Sequence, residues 1–251
     1  MFRRNLLAFL CALSMLPVSA SFAKSPTIED GVLLVGTDSS FAPFEFLAED
    51  GKNFTGFDMD LIRAIGKELG YKVVVQNMGF DATVPALRTG IVDAVIAGMT
   101  INEKRKKFVD FSDPYYTSGL IIMVPSSDTT TKSIKDLEGK KIGVQLGTTG
   151  DIYAGDIKDA TVERYNKGFE AVQALAQGKI DAVVIDGEPA KVFVKENEGL
   201  KMLDEAFTEE DYAIAVAKGN DELLDKINTA LGELKDSGEL DKIVDKYITA
   251  E

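Results

Sequence analysis

Two polar segments follow two similar apolar runs, and a third opens a predicted helix. Gly98-Met-Thr100 comes after residues 94–97, and Asp186-Gly-Glu188 comes after residues 182–185. Gly147-Thr-Thr-Gly150 is typical of a helix start, where unpaired backbone N–H groups and the helix dipole attract anions. Such segments offer hydrogen bonds and charge, which is the chemistry needed to bind a small polar or charged molecule.

The runs before the first two segments belong to a sequence repeat. The pattern A-L-x-x-G-x-x-D-A-V begins at Ala86 and again at Ala174, 88 residues further on. Each copy is typical of a helix end, a Gly that stops it, an Asp and a buried strand. This pattern is also a common junction between a helix and a strand, so the repeat taken alone leaves a chance similarity open. A true repeat predicts two similar α/β halves with the polar segments at the carboxyl ends of strands, where open α/β sheets bind ligands.

Composition excludes several classes of function. The chain of 251 residues has no His, one Cys and a formal net charge of −13. The commonest general base and metal ligand is therefore missing, and zinc and thiol sites are excluded from a mature chain that has also lost the one Cys. The acidic charge argues against a nucleic-acid partner. No nucleophile elbow, phosphate loop or dinucleotide motif is present, so we expect no cofactor and a binding protein more than an enzyme.

The first residues are typical of a secretory signal peptide, predicted over residues 1–23. Arg3 and Arg4 precede an apolar run at residues 6–16, and Ser21-Phe-Ala23 is a small-x-Ala cleavage site, with cleavage after Ala20 as the alternative. Cleavage changes the net charge from −13 to −15 and removes Cys11, the one cysteine. Leu10 before that cysteine disfavours a lipid anchor. These features predict a protein secreted to the periplasm.

Hydrophobic periodicity predicts an α/β fold. The first half reads as β-α-β-α-β with parallel strands and helices on the sheet faces. Gly56-Phe-Asp58 opens its first helix, and Phe80 is predicted in a loop before the second. The predicted strands cover residues 32–36, 73–75, 94–97, 120–124, 142–146 and 213–217, and the later predicted helices cover residues 134–137, 188–195, 221–235 and 240–248.

Two segments are predicted to cross between the halves, near residues 115–119 and 209–213. The chain then divides into a first lobe of residues 24–116 plus 213–251 and a second lobe of residues 117–212. Two crossings form a hinge, because they restrict the relative motion of the lobes more than one linker would.

With these residues in view, the chain resembles the periplasmic binding proteins for polar amino acids that serve ABC importers. The similarity runs from about residue 28 to residue 247, and its segments together are highly specific. They are Gly36-Thr-Asp-Ser-Ser-Phe-Ala-Pro-Phe-Glu-Phe46, Gly56-Phe-Asp-Met-Asp-Leu61, Ala97-Gly-Met-Thr100 with Arg105, Phe111-Ser-Asp-Pro-Tyr-Tyr116 and Gly143-Val-Gln-Leu-Gly-Thr-Thr149. The resemblance implies the two-lobed type II fold, in which each lobe is a mostly parallel sheet with helices on both faces.

The resemblance also implies a binding site for a zwitterion. Arg105 matches the residue that holds the ligand α-carboxylate, assisted by backbone N–H groups near Thr149. Asp186 matches the acid that pairs with the α-ammonium, in a cage completed by Thr100 and the Gly98 carbonyl, next to Ala97. Phe41 and Phe80 match the aromatic residues that sandwich the ligand side chain.

Each of these roles has a structural alternative. Arg105 lies in the basic run Asn102-Glu-Lys-Arg-Lys-Lys107 and could be one more solvated base. Phe80 could be a plain core residue. Asp186 could be a helix N-cap, alone or in addition to its binding role.

The resemblance leaves the ligand open between arginine, with lysine or ornithine possible, and glutamine. Asp38 lies at the base of the side-chain pocket in the family, where an acid favours a hydrogen-bond donor. The glutamine receptors carry a Lys at the position of Gln145, and a neutral Gln removes a cation that would oppose a basic ligand. We therefore favour arginine, bound by a monomer that docks on a membrane ABC permease. A dehydratase-like enzyme on the same fold and a sensory module are the alternatives from other classes.

Overall fold

The computed structural model describes residues 31–248, so the predicted signal peptide lies outside the described residues. In chain order the strands are β1 (Val32–Thr37), β2 (Ser40–Phe41), β3 (Glu45–Leu47), β4 (Phe54–Thr55), β5 (Lys72–Asn77), β6 (Ala94–Val95), β7 (Val109–Phe111), β8 (Tyr116–Ser118), β9 (Leu120–Pro125), β10 (Lys141–Gln145), β11 (Thr161–Tyr165), β12 (Ala182–Asp186), β13 (Leu200–Met202), β14 (Glu210–Tyr212) and β15 (Ala215–Ala217). The helices are α1 (Phe57–Glu68), α2 (Phe80–Arg88), α3 (Glu103–Lys106), α4 (Thr149–Gly155), α5 (Gly168–Ala176), α6 (Gly187–Glu196), α7 (Asp221–Asp236) and α8 (Glu239–Tyr247), with a 3₁₀ turn at Ile134–Leu137.

Two five-stranded sheets share one topology. The first has the spatial order β5-β1-β6-β15-β7 and the second has the order β11-β10-β12-β9-β13. In each sheet the first three strands are parallel, and the fourth, β15 or β9, pairs antiparallel with both of its neighbours. Four strands of each sheet thus point in one direction, and the predicted α/β fold with mostly parallel sheets is confirmed.

The sequence repeat corresponds to one structural motif in each sheet. Oδ2 of Asp93 accepts a hydrogen bond from the backbone N–H of Leu34 at 2.9 Å, at the start of the path from α2 into β6. Oδ2 of Asp181 accepts the equivalent bond from the N–H of Lys141 at 2.8 Å, before β12. In both copies the Asp links the strand that follows it, β6 or β12, to the neighbouring strand, β1 or β10. The repeat is therefore structural, not a chance similarity.

The two predicted crossings lie side by side as an antiparallel pair of strands. β8 pairs with β14, with Tyr116 opposite Tyr212 and Ser118 opposite Glu210. Each of these strands leads directly into the antiparallel strand of a sheet, β8 into β9 and β14 into β15. The chain passes from the first sheet to the second and back through this pair.

Helix α1 shows why the apolar pattern produces this packing. Leu61, Ile62 and Ile65 are fully buried on one face, and acids in the first turn suit the helix dipole. The terminal helices α7 and α8 pack against α1, so the end of the chain returns to the first sheet. Within residues 31–248 no helix is both long and apolar enough to cross a bilayer.

Several local predictions were wrong. Phe80 is the first residue of α2, not a loop residue, because Gly79 is its N-cap. The strand β11 was not predicted, since an edge strand with one neighbour need not be apolar throughout. Residues 134–137 form a 3₁₀ turn instead of an α-helix. Residues 210–212 form the separate strand β14, whereas the sequence predicted only a segment that connects to the next strand.

Candidate functional site

One cavity lies between the two sheets and contains every residue that the sequence predicted for the site. Its lining residues are Asp38, Phe41, Glu45, Phe80, Ala97, Gly98, Thr100, Arg105, Gln145, Thr148, Thr149 and Asp186. The structure thus brings together ten residues from distant parts of the sequence and adds Glu45 and Thr148.

Arg105 is the buried member of an otherwise exposed basic run. Its relative exposure is 8 %, whereas Lys104 and Lys106 on either side are exposed. Asn102 caps the short helix α3, its Oδ1 accepting the Arg105 backbone N–H at 2.8 Å, and this fixes the turn that points Arg105 inward. The alternative of one more solvated base is therefore wrong.

Two backbone carbonyls, one from each side of the cavity, hold the guanidinium of Arg105. Nη1 donates to the carbonyl of Thr100 at 2.6 Å, and Nη2 donates to the carbonyl of Gly147 at 3.2 Å. The guanidinium carries five N–H donors in a planar fork, so further donors are left for an anionic ligand. Burial lowers the pKa of Arg105 to about 10, which keeps the side chain cationic at neutral pH.

Asp186 provides a carboxyl group at the end of β12. Its Oδ1 accepts a hydrogen bond from the hydroxyl of Tyr212 at 2.5 Å. Burial raises the pKa of Asp186 to about 7, although the Tyr212 hydroxyl and the Arg105 charge act in the opposite direction. Asp186 is the N-cap residue of α6 by position, but its side chain makes no capping hydrogen bond. The carboxyl group is therefore directed to the cavity and Tyr212, and the N-cap alternative does not account for it.

Asp38 accepts hydrogen bonds from four donors. Oδ2 accepts from the backbone N–H of Phe80 at 3.1 Å and from Nε2 of Gln145 at 2.9 Å. Oδ1 accepts from the hydroxyl of Ser40 at 2.7 Å and from the ammonium of Lys167 at 2.6 Å. The bonds from Gln145 and Lys167 join the two sides of the cavity. Lys167 was not predicted from the sequence, because it belongs to no motif and lies 129 positions from Asp38.

Two phenyl rings line the cavity. Phe80 has 8 % exposure, packs in a buried apolar cluster, and has the Arg105 guanidinium 5.1 Å from its ring centroid. Phe80 is thus both a core residue and part of the cavity lining, and its contact with a ligand side chain stays a prediction. Phe41 also has 8 % exposure and stacks on Phe44 with the ring centroids 6.0 Å apart.

A pair of buried carboxyl groups, one of them in the cavity lining, was not predicted from the sequence. Oδ2 of Asp58 accepts the backbone N–H of Gly98 at 2.8 Å and the hydroxyl of Tyr115 at 2.9 Å. Glu45 lies next to Asp58, and both groups are completely buried. Burial raises the pKa of Asp58 to about 6, and burial together with the Asp58 charge raises the pKa of Glu45 well above its usual range. Neither carboxyl oxygen of Glu45 nor Oδ1 of Asp58 accepts a hydrogen bond within residues 31–248, which is consistent with a proton held by the pair. Glu45 lay in a quoted motif, but nothing in its spacing indicated burial.

Helix α4 directs its N-terminus at the same cavity. Thr148 is the N-cap, with its Oγ1 accepting the N–H of Asp151 at 3.2 Å, and Thr149 is the first helical residue. Thr149 is 6 % exposed. The partial positive charge of this helix end therefore lies at the cavity, as predicted for the segment Gly147-Thr-Thr-Gly150.

The fold and this cavity define a solute-binding protein, and the chain belongs to the bacterial extracellular solute-binding proteins, family 3, whose pattern matches residues 33–250. It is 37 % identical over 224 residues to the arginine-binding extracellular protein ArtP of Bacillus subtilis, covering 87 % of each chain. It is also similar to two structures of an ancestral arginine-binding protein at 49 % identity, covering 87 % of this chain and 98 % of the other. The arginine-bound structure has a TM-score of 0.83 and the glutamine-bound structure a TM-score of 0.81. The predicted resemblance is confirmed.

Proposed function

We propose that this protein binds the zwitterionic part of an L-amino acid between Arg105 and Asp186. The observation that carries the proposal is the placement of a buried guanidinium and a buried carboxyl group in one cavity lined by two phenyl rings. A zwitterion needs one fixed cation, one fixed anion and a water-poor space between them. Thr149 and the α4 N-terminus assist Arg105 at the α-carboxylate, and the carbonyl of Gly98 assists Asp186 at the α-ammonium.

We further propose that the two sheets are the cores of two lobes that close on the ligand. Residues 24–116 and 213–251 form the first lobe, residues 117–212 form the second, and the hinge lies near residues 115–119 and 209–213. The paired strands β8 and β14 support this division, because all passage between the sheets goes through them. A ligand that contacts both lobes at once stabilises the closed form.

The favoured ligand is arginine. Asp38 and Asp186 line the cavity together with Arg105, and the carboxylate of Asp38 favours a ligand whose side chain is a hydrogen-bond donor or a cation. The planar guanidinium also suits stacking between Phe41 and Phe80. Similarity to arginine-binding proteins over most of the chain supports the same ligand.

Glutamine is the second candidate, and one observation favours it. The ammonium of Lys167 at Asp38 offsets the negative charge that would attract a guanidinium. The similar ancestral protein that binds arginine is also known with glutamine bound.

Calorimetric titration of the refolded, ligand-stripped protein with arginine, lysine and glutamine tests this function. We expect a dissociation constant for arginine of about 1 μM or below, equivalent to about −8 kcal/mol. Tight binding of glutamine with weak binding of arginine would show that glutamine, the second candidate, is the ligand. If none of the three bound, the amino-acid site itself would be wrong.

We propose a receptor role without turnover, in the periplasm, with a closed monomer docking on an ABC permease. The similar proteins described above are binding proteins. Incubation with prephenate or arogenate and detection of the aromatic product tests the dehydratase alternative. Product formation would contradict the receptor role, and the absence of product under conditions where arginine binds supports it.

A further inference from the structure

The ammonium of Lys167 lies at the buried carboxylate of Asp38, on the opposite side of the cavity. Nζ is 2.6 Å from Oδ1 of Asp38 and 3.5 Å from the carbonyl oxygen of Met78. The side chain of Asp38 is 1 % exposed, whereas that of Lys167 is 26 % exposed. The pair therefore joins a buried acid in the first lobe to a base in the second lobe that is in contact with solvent.

The backbone of Lys167 is fixed, but its side chain can leave. Lys167 directly precedes α5, and its N–H donates to the carboxylate of Glu170 at 3.1 Å. Because the stem already reaches solvent, the ammonium can move outward without the cost of burying an unpaired cation. Asp38 would keep its bonds from Phe80 and Gln145 after such a movement.

The charge balance of the cavity depends on where that ammonium lies. With Lys167 in place, Asp38 and Asp186 balance Arg105 and Lys167, provided that Glu45 holds its proton. A zwitterion with an uncharged side chain then enters a neutral site. With Lys167 displaced or removed, the site carries one excess negative charge, which matches a zwitterion with a cationic side chain.

We propose that Lys167 is a specificity-determining residue whose ammonium occupies the position at Asp38 that a cationic ligand side chain would take. It disfavours cationic ligands relative to uncharged ligands of the same shape. Arginine must displace it, whereas a ligand that ends in an uncharged amide or urea group can leave it at Asp38. The inference deepens the proposed function and rests on it, because it assumes that the amino-acid side chain extends toward Asp38.

Arginine and citrulline provide the test, because citrulline replaces the guanidinium with an uncharged urea group of nearly the same shape. We would measure both dissociation constants by calorimetry for the wild type, Lys167→Met, Lys167→Arg and Lys179→Met. The quantity of interest is the ratio of the citrulline constant to the arginine constant within each variant. Lys179 is an exposed residue of the same lobe, so Lys179→Met makes the same change in net charge away from the cavity.

In Lys167→Met we expect this ratio to rise about tenfold or more, since arginine no longer has to displace a like charge from Asp38. The ratio should stay within about twofold of wild type in Lys179→Met, and Lys167→Arg should restore a ratio close to wild type. Arginine binding with an unchanged or lower ratio in Lys167→Met would overturn the role of Lys167 and leave the proposed function intact. A wild type that binds no tested amino acid would overturn both.

Discussion

The hydroxyl of Tyr212 donates a 2.5 Å hydrogen bond to Oδ1 of Asp186, which joins a crossing strand to the cavity. Tyr212 is completely buried and also packs edge-on against Phe44, with the ring centroids 5.2 Å apart. The strand pair that connects the sheets therefore touches the carboxyl group proposed to hold the ligand ammonium. A change in this strand pair at Tyr212 is expected to reach the ligand through this bond.

Ligand affinity should rise with pH through the range set by Asp186. The pKa of this carboxyl group is raised to about 7 by burial, so much of it is protonated below that pH, while the ammonium requires the ionised form. We expect affinity to fall up to about tenfold per pH unit below pH 7 and to level off above it. Titrations between pH 5 and 8.5 check this, and an affinity that is constant over that range would contradict it.

Tyr212→Phe should move this pH dependence upward. The hydroxyl stabilises the ionised form of Asp186, so its removal raises the pKa of Asp186 further, by about one unit for a hydrogen bond to a charged group. The midpoint of the affinity profile should shift by the same amount. Tyr153→Phe is the matched control, because Tyr153 is 45 % exposed and far less confined. An equal midpoint of the affinity profile in Tyr212→Phe and Tyr153→Phe would show that the hydrogen bond to Asp186 does not affect its pKa.

Glu45→Gln should make stability less dependent on pH. In the folded protein the pKa of Glu45 is raised by burial and by Asp58, so the folded state binds more protons than the unfolded chain, and stability falls as pH rises above the usual carboxyl pKa. A neutral Gln removes this contribution. We expect the fall in melting temperature between pH 6 and pH 9 to be smaller in Glu45→Gln. Glu68→Gln, at an exposed site, should keep the wild-type slope.

Arg105→Lys should abolish tight binding although it keeps the positive charge. An ammonium cannot reproduce the planar fork that donates to the Thr100 and Gly147 carbonyls while it binds a carboxylate. We expect affinity for any amino acid to fall about 100-fold or more in calorimetric titration. Arg88→Lys is the control, because Arg88 is exposed and lies over the ring of Phe108. Retained affinity in Arg105→Lys would mean that the carboxylate binds elsewhere.

Gly98→Ala should weaken binding by moving an aromatic ring. Gly98 has a φ of +50°, and a Cβ there would lie 2.9 Å from Cε1 of Phe41. We expect a loss of about 1–2 kcal/mol in the free energy of unfolding from the left-handed backbone, together with lower ligand affinity. Gly232→Ala places a methyl group in α7 with nothing within 4 Å, so binding should be unchanged and stability equal or higher. Wild-type affinity in Gly98→Ala would contradict a role for the Phe41 position.

The sequence was sufficient to predict which segments meet, because strand ends and helix starts are local properties of the chain. Thr100, Thr149 and Asp186 each lie at such an end, and parallel sheets bring these ends to the same edge. The position of Lys167 could not be predicted, since its bond to Asp38 depends on how the two sheets approach each other. The burial of Glu45 could not be predicted either, because it depends on tertiary packing. A buried acid and an exposed loop acid look alike in the sequence.

The position of β15 in the first sheet sets the order in which the two sheets can be completed as the chain emerges with its N-terminus first. Every strand of the second sheet lies within the continuous stretch from residue 120 to residue 202, whereas the first sheet needs β15 between β6 and β7. A nascent chain can therefore complete its second sheet while the first still lacks an inner strand. Until residues 215–217 pair with them, β6 and β7 have unpaired edges. These edges are the part of the incomplete protein most exposed to incorrect strand pairing or to binding by a chaperone.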